Sequence, residues 1–200
     1  MRSMSFKFIF LLLFLSQFAM AQNNNEPQLL KKPANWQFER FNLPPQFAKD
    51  FPYKGAEELR FSPGMFNKNS AEYFTYAFVA ELDSTTDFSQ LNINDYLFRY
   101  FKGLCSSTAL ERKLTIDVNR ITVTVGTKKD GSTRGAIYDA LLNIFGVFAD
   151  GGPVKLNMEV EVLPNPKTQK TYLFFIASPH EKTDDVWKQL YQIRDEFVMP

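Results

Sequence analysis

The side chains able to do chemistry in this 200-residue chain are few, and the first question is whether any of them form a set. His180 is the only histidine; it follows Ser178 and Pro179, with Asp184 and Asp185 close behind, which brings a serine, a histidine and an aspartate into one short stretch. A hydrolase needs the serine aimed at the imidazole and the imidazole at the carboxylate. Pro179 between Ser178 and His180 works against that geometry, and no nucleophile-elbow pattern surrounds the serine. Asp184 and Asp185 have a sufficient role at the positive end of a helix dipole. Cys105, the only cysteine, is the second candidate nucleophile, with His180 as its base. A free cysteine more often packs as a small hydrophobe. One histidine and one cysteine cannot supply a zinc site of ordinary ligand count, so no metal and no cofactor is expected.

Three further residues are candidates for binding. Glu159 and Glu161 share one parity of an alternating stretch with Lys155 and Asn157, where they could bind a cation or act as an acid/base pair. A solvated sheet face accounts for the same pattern and is the reading we favour. Trp36, with Trp187 and the phenylalanines, is a candidate wall for an apolar pocket. The run Gly126-Thr127-Lys128-Lys129-Asp130-Gly131-Ser132-Thr133 has phosphate-loop spacing, but Ser132 stands where the lysine is needed. A hairpin turn at Lys129-Asp130-Gly131 is the better reading.

Composition and address narrow the function classes. Arg2 and Lys7, the apolar run Phe8 to Leu15 and the small-x-small Ala19-Met20-Ala21 form the three-part pattern of a secretory signal, shorter than a membrane span. Residues 1–21 are therefore expected to be removed, leaving 179 residues with no transmembrane span, in a periplasm or outside the cell. Losing Arg2 and Lys7 turns the formal charge from +1 to −1. No basic block or basic helix follows, so nucleic acid is not an expected partner. A single cysteine excludes an intrachain disulfide, and the core alone must hold the fold. The chain has 21 phenylalanines, and much of that aromatic content lies outside residues 1–21, where it gives the core rings to do so.

The elements that must position these residues follow from periodicity. Residues 22–34 are polar and expected to lack structure, and 35–200 to form one domain. Trp36 to Phe51, broken by Pro44-Pro45, reads as an extended segment draped over the domain. Short strands follow at Glu58 to Phe61 and Tyr73 to Leu82, with a type II turn at Ser62-Pro63-Gly64 between them. Leu91 to Leu104 has helical period, with Asn92 or Asn94 as cap and Gly103 as its end. Lys113 to Val118 and Ile121 to Val125 alternate on opposite parities, which requires a bulge or tight turn near Asn119. Thr133 to Phe148 fits a strand or a helix equally. Val154 to Val162 alternates cleanly, one face dry and one wet. Thr171 to Ser178 is nearly all apolar and belongs mid-sheet. Thr183-Asp184-Asp185 begins a closing helix whose Val186, Trp187, Leu190, Tyr191, Ile193 and Phe197 recur at three- and four-residue steps and face the sheet. This order of elements, without βαβ alternation, predicts an α+β fold: an antiparallel sheet with two main helices packed on it.

The early strands, first helix and Trp-bearing closing helix resemble the Mog1/PsbP-type layered fold at the level of element order. The segments Asn35-Trp36-Gln37-Phe38-Glu39-Arg40-Phe41, Leu43-Pro44-Pro45-Gln46-Phe47-Ala48, Glu57 to Phe66, and Ser178-Pro179 with Trp187 and Leu190 resemble exported bacterial proteins of uncharacterised function. That resemblance implies export and a single domain, and supplies no site residues. The expectation is a non-catalytic exported domain that binds an envelope protein or a small apolar molecule. The alternative is a hydrolase using His180 with Ser178 or Cys105.

Overall fold

The computed structural model describes residues 28–85, 88–129 and 134–200. Seven strands form one antiparallel sheet: β1 (Gln37–Leu43), β2 (Gly55–Phe61), β3 (Tyr76–Leu82), β4 (Thr122–Lys129), β5 (Ala136–Phe145), β6 (Pro153–Asn165) and β7 (Lys170–Ser178). Their order across the sheet is β1-β2-β3-β7-β6-β5-β4, so the apolar β7 is the fourth of seven, buried along nearly its whole length. Two helices complete an α+β architecture: α1 (Gln90–Arg112) and α2 (Asp185–Asp195).

Strand parity assigns the two helices to opposite faces. Phe78 and Ala80 of β3, Leu173 and Phe175 of β7 and Met158 and Val160 of β6 form one core with Ile93, Leu97 and Phe101 of α1. Ala77 and Val79 of β3 and Tyr172, Phe174 and Ile176 of β7 form the second with Val186, Trp187 and Leu190 of α2. Phe78 and Phe175, cross-strand partners 97 positions apart in sequence, stack at 4.1 Å. Among the described residues most of the phenylalanine is accordingly interior. The large hydrophobic side chains exposed among the described residues are Leu91, Leu110 and Val198, none of them aromatic.

Several elements differ from their sequence reading. The draped segment includes a regular edge strand, β1, paired with β2 from Gln37↔Phe61 to Leu43↔Gly55. The described part of the polar N-terminal stretch, 28–34, is packed rather than loose, with Leu29 and Leu30 buried in the second core. Residues 1–27, including the signal pattern, 86–87 and 130–133, where the hairpin turn is expected, lie outside the described residues. The segment open between strand and helix is strand β5, because its ten residues pair on both sides, with β4 and with β6. Lys113 to Val118 is not a strand; a 3-10 turn at Val118–Arg120 makes the expected phase change before β4. The Ser62–Met65 turn closes with an amide-to-carbonyl bond of 3.0 Å, but Gly64 lacks the positive φ of a type II turn.

The first helix begins one residue earlier and ends eight residues later than its periodicity indicates. Ser89 caps it, accepting from the Asn92 amide, while the Asn94 side chain donates to the Val123 carbonyl at 2.9 Å and ties the helix to β4. Gly103 lies inside the helix. A β-carbon there would come within 2.6 Å of the Phe47 carbonyl oxygen, so this glycine lets the 44–54 segment approach the helix backbone. Gly103→Ala should therefore lower stability by about 1–3 kcal/mol through overpacking, although alanine gains roughly 1 kcal/mol of helix propensity. Denaturant titration checks the sign, and a stabilised variant would contradict this packing.

Candidate functional site

Each sequence candidate now has a place. Ser178 is fully buried, and its hydroxyl is bonded to Thr75 Oγ1 at 2.8 Å. What reaches Ser178 Oγ from His180 is the backbone amide, at 3.3 Å, not the imidazole. The His180 ring turns toward Asp184 at 3.9 Å, and its Nε2 is buried without a hydrogen-bond partner. Cys105 sits in the α1 core, its thiol directed at the Phe145 carbonyl and pushed up to about 11 by burial. His180 borders the other face, its carbonyl accepting from the Trp187 indole at 2.9 Å. The three side chains proposed as a nucleophile–base set thus point to different partners. Trp36 is a buried residue of the second core and does not wall an open pocket.

Glu159 and Glu161 do not lie on a wet face. They are 4 % and 3 % exposed, because α2 and the residues leading into it cover that side of β6. Glu159 receives Lys129, Lys182 and Arg194, each at 2.8 Å, and the Tyr191 hydroxyl at 3.1 Å. Asp139, its cross-strand neighbour on β5, shares Lys129 and Lys182. Burial alone would raise the Glu159 carboxyl, but the hydrogen bonds from Lys129 and Lys182 outweigh it and hold it below the ordinary range. A carboxylate so neutralised is a weak base. Glu161 has Arg134 at 3.5 Å, and one of its oxygens has no hydrogen-bond partner; burial raises its carboxyl against the pull of Arg134 and Arg194.

Two polar centres on β1 and β2 escaped the sequence reading. Because strand side chains alternate, adjacent residues in Glu57-Glu58-Leu59-Arg60 address opposite faces. On the α2 face, Glu58 accepts the backbone amides of Gln28, Leu29 and Leu30 at 2.8–2.9 Å and pairs with Arg40. Beside it Arg60 donates to the carbonyls of Leu30, Lys31 and Trp36 at 2.9, 3.2 and 3.1 Å. The two side chains clamp residues 28–36 as a strap across the sheet. On the α1 face, Glu57 is fully buried among tyrosines with Glu39 as its diagonal neighbour. The signal for the Glu57 centre was charge set among apolar residues of one parity, Glu57 with Leu59 and Phe61, Glu39 with Phe41 and Leu43.

One concave surface borders these elements. A cleft of about 540 Å³ runs between the strap and the residues after α2. Leu29, Leu30, Ile193, Phe197 and Met199 give it apolar walls, Lys31, Lys32 and Glu196 a charged rim. Val198, 80 % exposed, stands at its edge. Lys32 and Glu196 are 3.8 Å apart across it.

Fold and site together define an α+β domain with paired, buried ionic centres and a strap-edged cleft. Comparison with protein-family models, curated proteins and solved structures finds no match to this chain. Among the described residues no helix is long and apolar enough to cross a membrane, and no group of three His, Cys, Asp or Glu side chains could hold a metal ion.

Proposed function

We propose that this chain is an exported, non-catalytic domain that holds a small apolar ligand with an anionic head in the cleft between the strap and the C-terminal residues. The observation that carries this reading is the cleft itself, with apolar walls drawn from both chain ends and two lysines against one glutamate at the rim. Its volume falls within the 300–1,000 Å³ typical of small-molecule sites. An acyl chain would lie along Leu30, Ile193 and Phe197 and cover Val198, while its carboxylate would meet Lys31 or Lys32. The secretory pattern at residues 1–21 supports export. The reactive side chains support a binding role over a hydrolytic one, since Ser178 is fully buried against Thr75 and Cys105 is sealed in the α1 core.

Fluorescence titration with a long-chain fatty-acid probe tests the proposal. Saturable binding of one probe per chain, in the micromolar range, is expected. Val198→Glu changes only an exposed side chain at the cleft and should weaken binding roughly tenfold or more, about 1.4 kcal/mol, without moving the melting temperature. Unsaturable binding, or equal affinity in the variant, would overturn it.

A further inference from the structure

The α1 face of β1 and β2 concentrates ionisable groups in an arrangement unlike the other polar centres of the fold. Glu57 is 0 % exposed; its Oε1 is hydrogen-bonded to the Tyr100 hydroxyl at 2.6 Å and its Oε2 to the Tyr96 hydroxyl at 3.4 Å. Both tyrosines belong to α1 and sit one helical turn apart, so the carboxyl is the polar contact between the middle of that helix and β2. Tyr76 of β3 and Glu39 of β1 face the same space, Tyr53 borders Tyr96 at 5.2 Å, and Cys105 lies near Tyr76. Among the described residues neither Glu39 nor Glu57 has an ion pair with lysine or arginine. On α1, Arg99 is committed to Asp95 at 2.7 Å. The contrast with Glu58 is internal: the adjacent carboxylate, on the other face, has a guanidinium and three amides.

We propose that Glu57 is a proton-operated latch for α1: the neutral carboxyl, donating its proton to one of the Tyr96 and Tyr100 hydroxyls and accepting from the other, holds that turn to β2, and its ionisation leaves a buried charge with no cation beside it and loosens the helix from the sheet. A buried carboxylate with no cation beside it carries a large desolvation cost, and the half-buried Glu39 on the same face adds repulsion to it. Burial, with Glu39 adding to it against the two tyrosine hydrogen bonds, pushes the Glu57 carboxyl up to about 8 from an ordinary 4.5, and burial pushes Glu39 to about 7. The tyrosines stay neutral, since burial and the nearby Glu57 raise Tyr96 and Tyr100 well above their usual 10. The direction of the linkage follows. Between its ordinary and folded values each carboxyl keeps in the folded protein a proton that the unfolded chain has released. Stability is therefore full below about 4.5, falls as pH rises, and has lost the contribution of Glu57 above about 8. Over that window each such carboxyl lowers the folding equilibrium constant by up to tenfold per pH unit.

Carbon-13 NMR of the glutamate carboxyls in the purified protein reads the latch directly, and near-UV circular dichroism of the tyrosines reads the helix. A Glu57 titration midpoint at or above 6, with loss of tyrosine dichroism over the same pH range, is expected. Glu57→Gln keeps the shape and cannot ionise, so its melting temperature should lose most of the wild-type decline between pH 5 and 8.5 and its dichroism should persist at pH 9. Glu39→Gln provides a second variant that leaves the latch residue in place. It removes the neighbouring charge and should lower the Glu57 midpoint. A midpoint below 6, or a wild-type pH profile unchanged by Glu57→Gln, overturns the proposal.

Discussion

Truncating Trp187 to alanine should cost about 3–5 kcal/mol and lower the melting temperature by roughly 10 °C or more. The indole is fully buried beneath α2, in the core made with Val79, Phe174, Ile176 and Leu190. Its ring lies 5.7 Å from Tyr191 and 5.3 Å from the Lys182 ammonium, so its loss also frees a cation that neutralises Glu159. The His180 carbonyl would keep one donor, the Asn157 amide at 3.1 Å, which confines most of the cost to the cavity. Trp187→Phe should recover part of the loss, because the ring volume returns without the indole donor. Denaturant midpoints of the three proteins check the series. A cost below about 1 kcal/mol for alanine would mean that α2 does not seal this face.

Replacing Arg60 by methionine should be comparably disruptive, about 3–5 kcal/mol if the strap stays docked, because the carbonyls of Leu30, Lys31 and Trp36 lose their donor together and Glu58 loses a neighbouring cation. The strap has an escape. If it peels away, its carbonyls regain water and the cost falls to the burial of Leu29, Leu30 and Trp36. The informative measurement is therefore limited proteolysis within residues 28–36 alongside global unfolding. We expect faster cleavage there in Arg60→Met and in Glu58→Gln, with the rest of the domain still resistant. Equal cleavage rates in wild type and both variants would show that the clamp does not hold the strap. The same variants bear on the cleft, since Leu29, Leu30 and Lys31 form one of its sides.

Much of this architecture was legible in local pattern. The unbroken apolar run at Thr171 to Ser178 required a strand covered on both sides, and it occupies the middle of the sheet. The three- and four-residue spacing after Asp184 required a helix with one dry face; Val186, Trp187, Leu190 and Ile193 are its buried residues, while Tyr191 is half-buried and Phe197 packs beyond the helix end. Both readings rest on chain geometry alone, which is why they needed no knowledge of neighbours. The β5 segment was ambiguous for the same reason. Its apolar spacing satisfied two periods, and only pairing with β4 and β6 chose between them. The length of α1 was missed because Gly103 reads as a stop until Phe47 is placed against it.

The candidate site was less legible. Alternation in β6 correctly separated Glu159 and Glu161 from Met158 and Val160, but a wet face and a face covered by a later helix have the same sequence pattern. Arg194, which neutralises Glu159, comes from 35 positions downstream, and Arg134, which approaches Glu161, from the far side of β5. The two glutamates at 57 and 58 are the sharper case. By itself the sequence determines that they point to opposite faces, since that follows from the strand repeat. Only the tertiary structure decides that one meets Arg40 and the strap amides while the other meets tyrosines and a second carboxyl. Ionisation energies depend on what surrounds a group within a few ångströms, and those surroundings are assembled from segments that the chain brings together only on folding.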